Sequence, residues 1–112
     1  MSSNADRPAD ASPEDLLSKN DAEFVAGFEQ LYGQTWGEGA IPAKYKELSG
    51  VSLSVAIRCE DCLSYHITMA VKAGATAKEA IEAMRIGLLS GGSITIPTIR
   101  TGYKLLHDLK LI

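Results

Sequence analysis

Both cysteines of the chain and one of its two histidines fall within eight consecutive residues, Cys59-Glu60-Asp61-Cys62-Leu63-Ser64-Tyr65-His66. In a helix with 3.6 residues per turn, positions i, i+3 and i+7 lie within about 60° of one another, so a helical CxxCxxxH turns two thiols and an imidazole to one side. Such a face suits two chemistries. Thiol redox work needs one sulfur that attacks as thiolate and a second close enough to resolve the sulfenic acid or mixed disulfide that forms. It also needs a base or a positive dipole, because a free thiol titrates near about 8.5, and His66 stands one turn beyond Cys62. Metal binding would use the same ligands but usually needs four.

The rest of the chain weighs between them. No second CxxC or HxxxH is present, and His107 or the carboxylates would complete a metal shell only from far along the chain, so neither a metal nor another cofactor is expected. A c-type haem site requires His directly after the second Cys, where Leu63 stands. A thioredoxin-like motif follows the strand of a βαβ unit, and no such unit is legible. The plain structural alternatives are two small side chains in a core, a satisfied histidine, or an oligomeric or zinc-binding module without catalysis.

The elements that must carry these residues read as helices. Ser12, Pro13 and Asp15 open a short helix to about Lys19, and Asn20 with Glu23 repeats the start signal. Phe24, Phe28, Leu31 and Tyr32 form an apolar stripe ending near Gly33, followed by a loop over Gly37 to Ala40. Pro42 suits the first turn of the next helix, with Tyr45, Leu48, Ser52, Val55 and Ala56 as its small and apolar face; Gly50 weakens that helix without ending it. Leu63, Ile67, Ala70 and Val71 place the CxxCxxxH segment on a helix capped at Gly74. Thr76 and Glu79 form a capping box before the stripe Ala77, Ala80, Ile81, Met84 and Leu88, which ends at Gly91-Gly92. Pro97 argues against a strand through Ile94, Ile96 and Ile99, so a last helix is expected from about Ser93 to Asp108. The chain reads as all-α, a bundle of about five to six helices.

With 112 residues and 46% hydrophobic content there is room for one core, expected over residues 12–112, with a mobile polar tail over residues 1–11. Ten glycines and 22% charged residues describe a lean core that a homo-oligomer would complete. A formal charge of -3 without basic runs argues against nucleic acid and anionic membranes as partners. The absence of a long apolar stretch points to a soluble, cytoplasmic protein, a compartment in which a close cysteine pair is more often catalytic or metal-binding than structural.

Lys46-Glu47-Leu48, Ser54-Val55-Ala56, the CxxCxxxH segment and Ala73-Gly74-Ala75-Thr76 together resemble the carboxymuconolactone decarboxylase superfamily, and within it the alkylhydroperoxidase D-like branch. Glu79-Ala80-Ile81-Glu82-Ala83 and the Gly91-Gly92 pair extend the likeness over roughly residues 41–106. The signature of that branch includes a Glu about a dozen residues before the motif, and Glu47 stands twelve before Cys59. Without the motif, Glu47 would read as a solvated charge beside Lys44 and Lys46.

The resemblance implies an all-helical fold assembled as dimers, trimers or hexamers, and a dithiol peroxidase or disulfide reductase. It implies Cys62 as the thiolate that attacks a hydroperoxide, Cys59 as the resolving thiol, and Glu47 with His66 as a proton relay. The partners implied are a hydroperoxide or disulfide substrate and a dithiol or protein reductant. Asp61 stands where well-characterised peroxidases of the family carry a second His; a carboxylate there disfavours the thiolate, which burdens peroxide reduction more than thiol–disulfide exchange. Muconolactone decarboxylation, the family's name activity, belongs to members without the cysteine pair and is the alternative enzyme reading.

Overall fold

The structure, a computed structural model, describes residues 13–112. The tail expected over residues 1–11 and the expected Ser12 cap lie outside them. The described residues form six α-helices and no strand, in agreement with the all-α reading. They fall into two contact units that part after Gly37.

The first unit holds α1 (Pro13–Asn20) and α2 (Ala22–Trp36). Asn20 does not cap α2 as its position predicts; its amide donates to the Leu16 carbonyl at 2.8 Å and closes α1 instead. Asp21 takes the N-cap position without a side-chain hydrogen bond. Helix α2 runs a turn beyond Gly33, where Phe28, Tyr32 and Trp36 stack at successive i, i+4 steps with ring centroids 6.0 and 5.8 Å apart. None of its residues is buried, and Phe24, Phe28 and Leu31 are 68%, 59% and 65% exposed. Periodicity places them on one face but says nothing about what covers that face.

The second unit, residues 38–112, carries α3 (Ala43–Ala56), α4 (Glu60–Lys72), α5 (Ala77–Gly91), a 3-10 turn (Ser93–Thr95) and α6 (Ile96–Asp108). Helix α3 packs on α4 and α5, and α6 packs on both of those. Val51, Val55, Leu63, Ile67, Ala80, Met84 and Leu106 are fully buried; each larger aliphatic among them contributes about 1.5–3 kcal/mol by leaving water. Helix α3 buries Glu47, Gly50, Val51, Ser54 and Val55 and leaves Tyr45 half exposed. Its inner face is therefore rotated from the one that its apolar residues mark.

Small residues let α3 and α5 approach closely. A Cβ on Gly87 would stand 2.5 Å from the Ser52 carbonyl oxygen, and the Ser52 hydroxyl donates to the Ala83 carbonyl at 2.7 Å. The Thr76–Glu79 capping box forms as expected, with both hydrogen bonds present. The Thr76 N–H, followed by the Lys44 ammonium 3.2 Å from the carboxylate, holds the Glu79 carboxyl below its ordinary range. Helix α4 ends through Gly74 at φ +102, a left-handed conformation that glycine adopts without strain.

Candidate active site

The junction between α3 and α4 positions the cysteines. Helix α3 stops without glycine or proline because three hydrogen bonds fold its end back: Ile57 N–H to Leu53, Arg58 N–H to Val55 and Cys59 N–H to Ser54. This is a Schellman motif whose left-handed residue is Arg58, at φ +59. Its last residue, Cys59, is also the N-cap of α4, with extended backbone. One residue therefore ends one helix and begins the next.

The CxxCxxxH segment, expected on a helix, is helical from Glu60 onward. Cys62 and His66 lie on α4, one turn apart, but Cys59 precedes the helix. Its sulfur takes the place of the usual capping oxygen, accepting from the Cys62 N–H at 3.2 Å. The two cysteines are joined as a disulfide with Cα atoms 5.2 Å apart, so the i, i+3 spacing brings both sulfurs together at the helix start. Both sulfurs thus lie at the positive end of the α4 dipole, beside the Glu60 and Asp61 carboxylates of its first turn.

Glu47 and His66, nineteen residues apart, are bonded side chain to side chain: Nδ1 lies 2.8 Å from Oε1. Both are buried, at 5% and 7% exposure. With a carboxylate accepting from Nδ1–H, the neutral imidazole carries its lone pair on Nε2 and can take up a proton there. Tyr65 meets the imidazole edge-on, with centroids 5.3 Å apart. Residues at i and i+4 of a helix have Cβ atoms about 5–6 Å apart, which sets the separation of Cys62 from His66. The structure thus joins the four residues singled out in the sequence as two bonded pairs linked through α4.

An open cleft of about 470 Å³ faces the disulfide, lined by Arg58, Cys59, Glu60, Asp61, Ile94, Pro97 and Thr98. Cys59 forms part of its wall and Cys62 does not. The starts of α4 and α6 meet there, tied by the Thr101 hydroxyl donating to Glu60 at 2.8 Å. Ile94, Pro97 and Thr98 were not expected at the site; in the sequence Ile94 and Pro97 bore only on whether the last segment is a strand or a helix. Nothing in the local sequence marks Arg58, because a left-handed arginine has no signature. Among the described residues no group of three or more His, Cys, Asp or Glu is placed to hold a metal ion, and no helix is long and apolar enough to cross a membrane.

Comparison with known proteins adds a family. The model of the carboxymuconolactone decarboxylase family matches residues 22–99. An uncharacterised protein of Cupriavidus necator is 31% identical over 68 residues, which is 61% of this chain and 60% of that protein's length. A Thermotoga maritima crystal structure superposes with a TM-score of 0.80 at 33% identity, covering 87% of this chain and 85% of the other. A second crystal structure of the same protein, a family member for which a role in antioxidative response has been suggested, gives 0.73 at 38% identity over 76% and 73% of the two chains. A family protein of Legionella pneumophila in its apo form gives 0.75 at 27% identity, covering 82% of each chain.

Proposed function

We propose that this chain, which belongs to the carboxymuconolactone decarboxylase family, is a thiol oxidoreductase that cycles Cys59 and Cys62 between dithiol and disulfide. The observation that carries this reading is the disulfide at the start of α4, with Cys59 in the wall of an open cleft. The suggested antioxidative role of the Thermotoga protein supports it.

In the reductive half, a thiolate of an external dithiol enters the cleft and attacks the Cys59 sulfur. The bond to Cys62 breaks and the Cys62 thiolate leaves, taking through His66 the proton that the incoming thiol gave up. The partner's second thiol then closes its own disulfide and releases Cys59 as a thiolate held by the helix start and the Cys62 N–H. In the oxidative half, His66, oriented by Glu47, takes the Cys62 proton. The thiolate attacks the terminal oxygen of a hydroperoxide, and the O–O bond breaks to leave a sulfenic acid and an alkoxide, which takes the proton back from His66 and departs as the alcohol. The Cys59 thiolate displaces hydroxide from the sulfenic acid, solvent protonates it to water, and the disulfide is restored. With a disulfide as substrate, the same thiols run the exchange in reverse. Regeneration by a dithiol fits a reducing, cytoplasmic setting.

The test separates the two sulfurs. Cys62→Ser should abolish hydroperoxide turnover and trap a mixed disulfide on Cys59 when the protein meets an activated thiol reagent. Cys59→Ser should accumulate sulfenic acid on Cys62, detected by mass. Full turnover by Cys62→Ser would overturn the assignment. A non-redox lactone decarboxylase would show no dependence on either cysteine.

A further inference from the structure

Gly50 lies in the middle of α3, where glycine is less favourable than almost any other residue, and it is buried. Its Cα faces the imidazole of His66. A Cβ built on it would stand 2.6 Å from Cγ, 2.6 Å from Nδ1 and 2.9 Å from Cδ2. These atoms form the side of the ring that also bonds Glu47, and Glu47 sits three residues before Gly50 on the same inner face of α3.

We propose that Gly50 is the positioning residue of the Glu47–His66 pair: the volume of its missing side chain is the volume the imidazole occupies. Ordinary carbon contacts begin near 3.4 Å, so even a methyl group at position 50 would require a displacement of 3.4 − 2.6 = 0.8 Å. The ring cannot make that shift without cost, since a 2.8 Å bond to Glu47 holds Nδ1. Nor can α3 easily back away, because it is packed against α5 through Gly87 on another face. The backbone at Gly50 is itself held, its carbonyl accepting from the Ser54 hydroxyl at 2.6 Å. A side chain at position 50 therefore acts on the imidazole first.

The consequence for catalysis rests on the proposed proton relay; the placement of the ring does not. The experiment compares Gly50→Ala, Gly50→Val and Glu47→Gln with Gly87→Ala, which crowds α3 against α5 without pointing at His66. In reduced protein, two properties are read: the imidazole resonances of His66 by NMR, and the rate of Cys62 alkylation against pH. Gly50→Val should shift the ring resonances, lose the protected Nδ1–H signal and slow Cys62 alkylation about tenfold, as Glu47→Gln should. Gly50→Ala should fall between Gly50→Val and the parent protein. Gly87→Ala should lower the melting temperature and leave both readouts unchanged.

Gly50→Ala and Gly50→Val with parental ring resonances would overturn the proposal. So would Gly87→Ala shifting the resonances as much as Gly50→Val. If the ring moves in Gly50→Val while neither that variant nor Glu47→Gln alters alkylation, Gly50 still positions His66 and the relay is what fails. Should Gly50→Val not fold, Gly50→Ala and Gly50→Ser carry the same readings.

Discussion

Glu47 and His66 are both almost wholly removed from water and meet at 2.8 Å, so each depends on the other for a hydrogen bond that solvent no longer supplies. Glu47→Ala leaves the imidazole N–H without its acceptor, and the expected loss is about 2–3 kcal/mol of stability. Glu47→Gln retains an acceptor of similar shape and should lose about 1 kcal/mol, while still slowing Cys62 alkylation. Denaturant unfolding of both variants, and of the double variant with His66→Ala, measures the coupling. Additive losses would show that the pair is not coupled. The pairing of Glu47 with His66 was reachable only through the resemblance, because a glutamate beside two lysines is indistinguishable in sequence from a solvated one. Gly50 was visible as an irregularity in a helix, but its reason lies sixteen positions along, in the His66 ring brought over it by the turn between α3 and α4.

At the scale of elements, the helices were legible where capping chemistry and periodicity agreed. The Thr76–Glu79 box needed no tertiary information, since its hydrogen bonds are local, and neither did Pro97, which argued against a strand and sits in the first turn of α6. The break between α3 and α4 was not legible, because Arg58 takes a left-handed conformation that costs an L-residue roughly 1–2 kcal/mol. Packing of both flanking helices imposes it, along with the hydrogen bonds that converge on Val55 and Ser54. Arg58→Gly should therefore raise the stability of the protein by about 1 kcal/mol. An unchanged or lower midpoint in denaturant would mean that the arginine side chain contributes more than the strain it imposes. Lys110, at φ +61 after α6, offers the same substitution away from the cysteines as a reference.

At the scale of the molecule, the exposed apolar residues stand out. Phe24, Phe28 and Leu31 on α2, Leu53 and Ile57 at the end of α3, and Ile86 and Leu89 on α5 are 58–87% exposed, more large apolar surface than a lone soluble chain ordinarily presents. We read these faces as contacts between copies of the chain. Sedimentation should give a mass several times the 12.0 kDa of one chain, and Leu89→Glu should reduce it while helical circular dichroism is kept. A parent protein sedimenting as a monomer would refute this. None of these faces could be identified as exposed from periodicity, which reports that apolar residues are aligned and not which surface they meet.

The sequence alone determined the all-helical class, most helix limits and the presence of a thiol pair with a histidine one turn on, because these follow from local hydrogen bonding and short spacing. Tertiary structure decided that Cys59 caps α4 and not merely occupies it, that a cleft opens beside that sulfur, that Glu47 meets His66, and that Gly50 makes room for the ring. Each of those depends on where two helices cross, and crossing is set by the packing of whole faces, which no short stretch of residues contains.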